Sequence, residues 1–197
     1  MSKNLLFRAQ AVAFSAVTAA SIAAASPVHA DPATLVGPGC AAYAKQVPTG
    51  PGSVSGIATE PVSVAVSNVP ILTTLASAVS GRLNPGVDLV STLDGGQFTI
   101  FAPTDDAFGK LPSSTVDSLK TDSSALTKIL TYHVVPGRLG PNDLAGTHKT
   151  VQGQSVKVSG SGDSLQVNDA HVVCGGLQTA NATVYLIDTV LTPPAIM

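Results

Sequence analysis

A change of hydrophobic period at His133 constrains the fold more than any other feature of this chain. Before it, apolar side chains recur at three- and four-residue spacing. Leu72, Leu75, Ala76 and Val79 follow Pro70 and stop at Gly81, and Leu126, Ile129 and Leu130 make a stripe within 124–131. Further helices are predicted at 62–67, started by Pro61, and at 115–120, where Ser113 or Ser114 can cap the first turn. The stretch 87–93 reads either way, with a helical turn favoured over a strand. After His133 the period shortens to two, and 133–135, 149–152, 156–159, 164–167, 170–174 and 182–187 read as strands between Gly or Asn turns. Helices gathered in one half and strands in the other make an α+β domain. No internal repeat is present, so the domain occurs once.

One strand falls in the helical half. In QFTIFAPTDDAFGKLP (97–112) the residues Phe98 to Ala102 are β-branched or aromatic, and Pro103 ends the ladder because it has no N–H to give. Thr104 stands where a helix N-cap belongs, and Asp105 and Asp106 put negative charge at the positive end of the helix that follows. Phe108 and Leu111 face inward together and Pro112 closes the turn. Every residue of this strand-to-helix corner has a structural task.

The corner also resembles the first signature motif of fasciclin domains. ILTYHVVPG (129–137) is similar to their second motif, including the Tyr132-His133 pair, and NATVYLIDTVLTPP (181–194) is similar to their closing strand. The motifs come in the family's order and spacing. LVGPGCAAYA and VVCGG narrow the resemblance to the secreted mycobacterial antigens that carry such a domain. The resemblance implies a single fasciclin domain, built as a β-wedge with helices packed against it.

The chain opens on Lys3 and Arg8, continues with an Ala/Val-rich run from Ala9 to Ala25, and offers a small-residue cleavage pattern at Val28-His29-Ala30. Cleavage of a signal peptide is therefore expected between Ala30 and Asp31. A membrane anchor is the alternative reading, but the run contains Ser15, Thr18 and Ser21 and is shorter than the roughly twenty strongly apolar residues of a spanning helix. No lipoprotein-type cysteine follows the cleavage site, and the C-terminus carries no sorting signal. The expected organisation is a leader at 1–30, a Gly/Pro-rich extended arm at 31–59 with one helical turn at 41–45 near Cys40, and the fasciclin domain at 60–194. The product is expected to be secreted, extracellular, monomeric and not inserted in a membrane.

Both cysteines, Cys40 and Cys174, lie in the exported part, where an oxidising compartment favours a bridge between them. Such a bridge would close a loop of about 134 residues, pin the arm onto the sheet and stabilise by about 4–5 kcal/mol in the chain-entropy model. A free, reactive thiol is the competing reading.

Charge and composition exclude some functions. The leader holds Lys3 and Arg8 and no acidic residue, so removing it takes the net charge from −2 to about −4. Nucleic acid and anionic membranes call for a basic stripe instead. Tryptophan is absent, which leaves little for base stacking. Catalytic sets are thin as well. His171 and Cys174 are three apart on a strand and point to opposite faces, so they cannot clasp one metal. Asp105 and Asp106 diverge at a helix start, no serine sits in G-x-S-x-G, and the Gly160-to-Asp163 turn lacks a basic residue for phosphate. No catalytic residue, cofactor or metal is expected.

Two segments invite a binding role. In related animal domains the Tyr-His dipeptide lies in a segment associated with integrin binding, so the resemblance implies adhesion at Tyr132 and His133; a purely structural role for both is the competing reading. The loops 137–147 and 160–164 expose Gly, Pro, Asn and Asp. Asn181-Ala182-Thr183 matches a glycosylation sequon, although Asn181 also suits the turn into the last strand. The function expected from all this is a non-catalytic interaction or adhesion antigen whose partner is a protein or glycan at the cell envelope or host surface. The alternative is a carrier of a small apolar ligand.

Overall fold

The computed structural model describes residues 35–194, so the expected leader and its cleavage site at Ala30 and Asp31 lie outside the described residues. The helical half holds α1 (Cys40–Gln46), α2 (Val54–Ile57), α3 (Val62–Asn68), α4 (Thr73–Val79) and α5 (Val90–Asp94). Strand β1 (Phe98–Pro103) follows, then α6 (Asp105–Gly109), α7 (Ser113–Thr121) and α8 (Ser123–Tyr132). The remaining strands are β2 (Val134–Pro136), β3 (Gly146–Lys149), β4 (Ser155–Ser159), β5 (Gln166–Val167), β6 (Ala170–Gln178) and β7 (Ala182–Ile187).

All seven strands join one sheet in the order β2-β1-β7-β6-β5-β4-β3. The early strand β1 lies parallel to the last one, with Phe98 opposite Ala182 and Pro103 opposite Ile187, whereas every other pair is antiparallel. Alternation assigns side chains of the central strands to two cores. Ile100, Ala102, Ala182, Val184 and Leu186 pack under the helices. Phe101, Tyr185 and Ile187 face the other way, into the wedge closed by Leu144, Val156, Val158, Leu165 and Val167. Strand β6 serves both cores because two irregularities in its register bend it between Val172 and Leu177. Gly175 lies in that bend. A Cβ there would stand 2.2 Å from the Tyr185 ring, so only glycine lets the ring cross the strand.

The helical turn expected at 41–45 is present as α1, but the arm around it is not extended. It folds as α1 and α2, buries Tyr43 and Ile57 in the helix-side core, and pairs Val36 with Gly175 across the β6 bend. Gly37 and Gly39 permit this, since a Cβ on either would come within 2.6 Å of Val173. Cys40 and Cys174 form a disulfide beside them, with Cα atoms 4.7 Å apart. The helix of the corner has the expected cap, the Thr104 hydroxyl accepting from Ala107 N–H at 3.4 Å. Three expectations fail locally. The strand placed at 149–152 is β3, ending at Lys149, with Val151 and Gln152 in the turn that follows. Of the strand placed at 164–167 only Gln166 and Val167 pair, because Gly162–Ser164 form a 3-10 turn. Helix α7 starts at Ser113 after Pro112 with no side-chain cap.

Candidate binding surface

Tyr132 ends α8 and His133 is its C-cap, so a helix terminus rather than a strand positions the pair. Both are about 2% exposed. The Tyr132 hydroxyl donates to Ser155 O at 3.1 Å and accepts from the Asn168 amide at 3.2 Å, tying α8 to the wedge. Leu191 N–H donates to His133 Nε2 at 2.9 Å, which fixes Nε2 as the bare nitrogen and leaves Nδ1–H to donate to Ile129 O at 2.8 Å. Burial pushes the His133 pKa down to about 4, only partly offset by the Ile129 bond, so the ring is neutral at pH 7. The dipeptide presents no surface to a partner; its geometry is that of a structural pair.

The corner separates its two carboxylates. Asp106 is exposed, while Asp105 turns back to accept from Thr73 N–H and Oγ1–H at 3.2 and 2.8 Å and from Thr74 N–H at 2.8 Å. Partial desolvation would raise the Asp105 pKa, but these bonds from Thr74 and Thr73 outweigh it and hold the carboxyl below the usual range. Asp105 therefore caps α4, which has no side-chain cap of its own, rather than serving only the helix it begins. Beyond the corner, Lys110 donates to Asp188 at 3.2 Å through the carboxylate and at 2.7 Å through the carbonyl.

These residues form one wall of an open cleft of about 630 Å³. The opposite wall is α1, with Ala42, Tyr43 and Gln46, and the floor includes Ile71, Val173 and Leu186. The disulfide, the Val36–Gly175 bridge and buried Tyr43 together hold α1 beside β6, where this wall stands. By contrast, the apolar interior void beside His133 measures only about 20 Å³, room for about one water.

A family profile described as "Fasciclin domain" matches residues 70–193, from α4 through the closing strand. The chain belongs to the fasciclin domain family. It is similar to the immunogenic protein MPB70 of Mycobacterium bovis, with 59% identity over 94% of this chain and 96% of that one. It is 60% identical to the cell surface glycolipoprotein MPB83 of the same species, over 84% of this chain and 76% of that one. The protein sll1483 of Synechocystis matches at 37% over 68% of this chain and 73% of that one. Among solved structures, a domain pair from the insect cell adhesion molecule Fasciclin I aligns with a TM-score of 0.47 at 21% identity, covering 61% of this chain and 45% of that one.

Within this fasciclin domain the loops singled out for binding differ in rigidity. The 137–147 loop is stitched down. Thr99 Oγ1–H donates to Gly137 O at 2.7 Å, Tyr185 OH donates to Leu139 O at 2.9 Å, and the Arg138 guanidinium reaches Gln178 Oε1 and the carbonyls of Thr179 and Ala180. Its tip, Asn142 and Asp143, stays exposed. Residues 160–164 are exposed throughout and turn on Gly160 and Gly162, both at positive φ. His171 is exposed beside Gln166 while Cys174 is buried in the disulfide, so strand geometry separates them. Asn181, read from sequence as a turn residue, has a larger part. Its Oδ1 accepts from Val62 N–H at 2.9 Å and its amide donates to Leu93 O and Gly96 O at 2.7 and 2.9 Å. The sequence places a helical turn at 41–45 but not its position against β6, so the cleft that the turn walls could not be read from it.

Proposed function

We propose that this fasciclin domain is an exported, non-catalytic interaction protein that engages a protein or glycan at the cell envelope or on a host surface, as a single copy. The observation that carries the reading is the size contrast between its spaces. The open cleft, about 630 Å³, falls in the range of about 300–1,000 Å³ typical of ligand sites, whereas the interior void holds about one water. Export is supported by the leader pattern, by the disulfide, and by relatives named as immunogenic and cell surface proteins. A non-catalytic role is supported by where the histidine side chains among the described residues are engaged: His133 with Ile129 and Leu191, His148 with Leu144 O, and His171 with Gln166, none of these three on a serine hydroxyl or a carboxylate. The carrier alternative would require the interior void to expand many-fold.

The test is affinity capture from envelope extracts and host-cell surface proteins, comparing the parent with Ala42→Trp, which fills the cleft, and with Gly/Ser replacements of 140–143 and 160–164. One of the three should lose capture at an unchanged melting temperature. Capture that survives all of them would reject these surfaces, and hydrolysis of a model ester abolished by one Ser→Ala change would reject the non-catalytic role.

A further inference from the structure

After β7 the chain runs back across the helices as a strap, residues 188–194. Its entry is fixed at Asp188, whose carboxylate takes Lys110 and whose Oδ1 accepts from His171 N–H at 2.9 Å. Beyond that point the described residues give the strap backbone one hydrogen bond, Leu191 N–H to His133 Nε2. Pro193 and Pro194 have no N–H to add. Val190 and Leu191 are nevertheless buried, one in each core. Val190 and Thr192 border an open groove of about 410 Å³ whose other walls are Leu111 and Leu119 and, on α8, Ala125 and Ile129.

We propose that His133 is a proton-operated latch: protonation of Nε2 releases Leu191 and lets residues 189–194 leave the α7–α8 face while the sheet stays folded. The acceptor lone pair is the only thing the ring offers Leu191. Once Nε2 carries a hydrogen, two donors face each other at 2.9 Å, and a charge sits in an apolar site. Among the described residues nothing nearby compensates it. Strands β1 and β2 and helices α3 and α4 have no ionisable side chain. Asp94 on α5 is engaged with Ser63, Tyr132 with Ser155 O, and Asp188 with Lys110, while Lys128 on α8 is exposed. The direction follows from linkage. The folded ring titrates near pH 4 and the free one near 6.5, so the latch holds fully above about 6.5 and is lost as pH falls toward about 4. Asp188, whose carboxyl is held below the usual range by its hydrogen bonds despite partial desolvation, keeps its charge longer and serves as the hinge.

The experiment is amide hydrogen exchange with parallel NMR titration of the His133 ring on the disulfide-bonded protein, between about pH 6.5 and about pH 4. Protection at Leu191, corrected for intrinsic exchange, should fall roughly tenfold or more in step with the ring titration while Ile100 and Val184 stay protected. The companion variant His133→Gln, whose side-chain oxygen accepts but does not titrate, should remove that pH dependence. Loss of protection at all three amides together, an unchanged Leu191, or a Leu191 response that persists in His133→Gln would each overturn the latch. If the variant does not fold, the first two outcomes in the parent protein still decide.

Discussion

On one side of the sheet the helices run from four to ten residues, too short to persist alone, and the ends of α3 and α4 are completed by Asn181, Asp94 and Asp105 from elsewhere in the chain. On the other side, strands β3 to β6 satisfy their backbone groups by pairing with their neighbours and alternate side chains into a compact apolar core. The helix side is assembled by long-range polar clasps and one covalent bond, and the wedge by a repeating ladder. Perturbing a clasp should therefore loosen several helices at once, while the wedge should respond only to changes within it.

The largest expected effect is reduction of Cys40–Cys174. Freeing the 134-residue separation should cost about 4–5 kcal/mol in the chain-entropy model, lowering the unfolding midpoint. Exchange protection should fall first at Tyr43 and Val47 in the arm. Equal early loss in β4 would erase the contrast between the two sides. Next comes Asn181→Ala, which strips a cap from α3 and leaves the carbonyls of Leu93 and Gly96 short of a donor. A destabilisation of about 2–3 kcal/mol by denaturant titration is expected, with the wedge amides unchanged below the midpoint. Asp105→Asn is the smallest, about 1 kcal/mol at neutral pH. Its pH signature sharpens the assignment. Because the folded carboxyl titrates below its ordinary value of 3.8, its contribution is present above that pH and disappears as pH falls through the folded value. The difference between parent and variant should shrink in acid, and a constant difference would show that the charge does not cap α4.

How much of this was legible in the sequence depends on the range of the cause. β1 was expected at 98–102 and β7 at 182–187, and both are found there, because β-branched and aromatic residues fill both faces and Pro103 and Asn181 mark the limits. The α4 stripe and the Thr104 cap are equally local. The end of β6 was lost because Gly175-Gly176 reads as a turn, while in the structure Gly175 makes room for a ring ten residues further on. The docking of the arm was hidden for the same reason. Gly37 and Gly39 look like flexibility, yet they mark a close approach to Val173 that no local pattern announces. Asp105 was recognisable as a capping residue, but its reach to α4 spans 32 positions. For the candidate surface, the tips of the polar loops could be seen in advance and the cleft could not.

The parallel pairing of β1 with β7 also dictates when the molecule can form. Phe98 must find Ala182, and no shorter connection builds the centre of the sheet. Closing so long a loop precedes any reward from the contacts it makes, which slows the search. Cys174, Asn181 and Leu191 also lie beyond residue 170, so a growing chain that has reached that point holds its helices without their bridge, their cap or their latch. The centre of the sheet therefore waits for β7, and the helices that lean on it can dock in full only after that strand has been made.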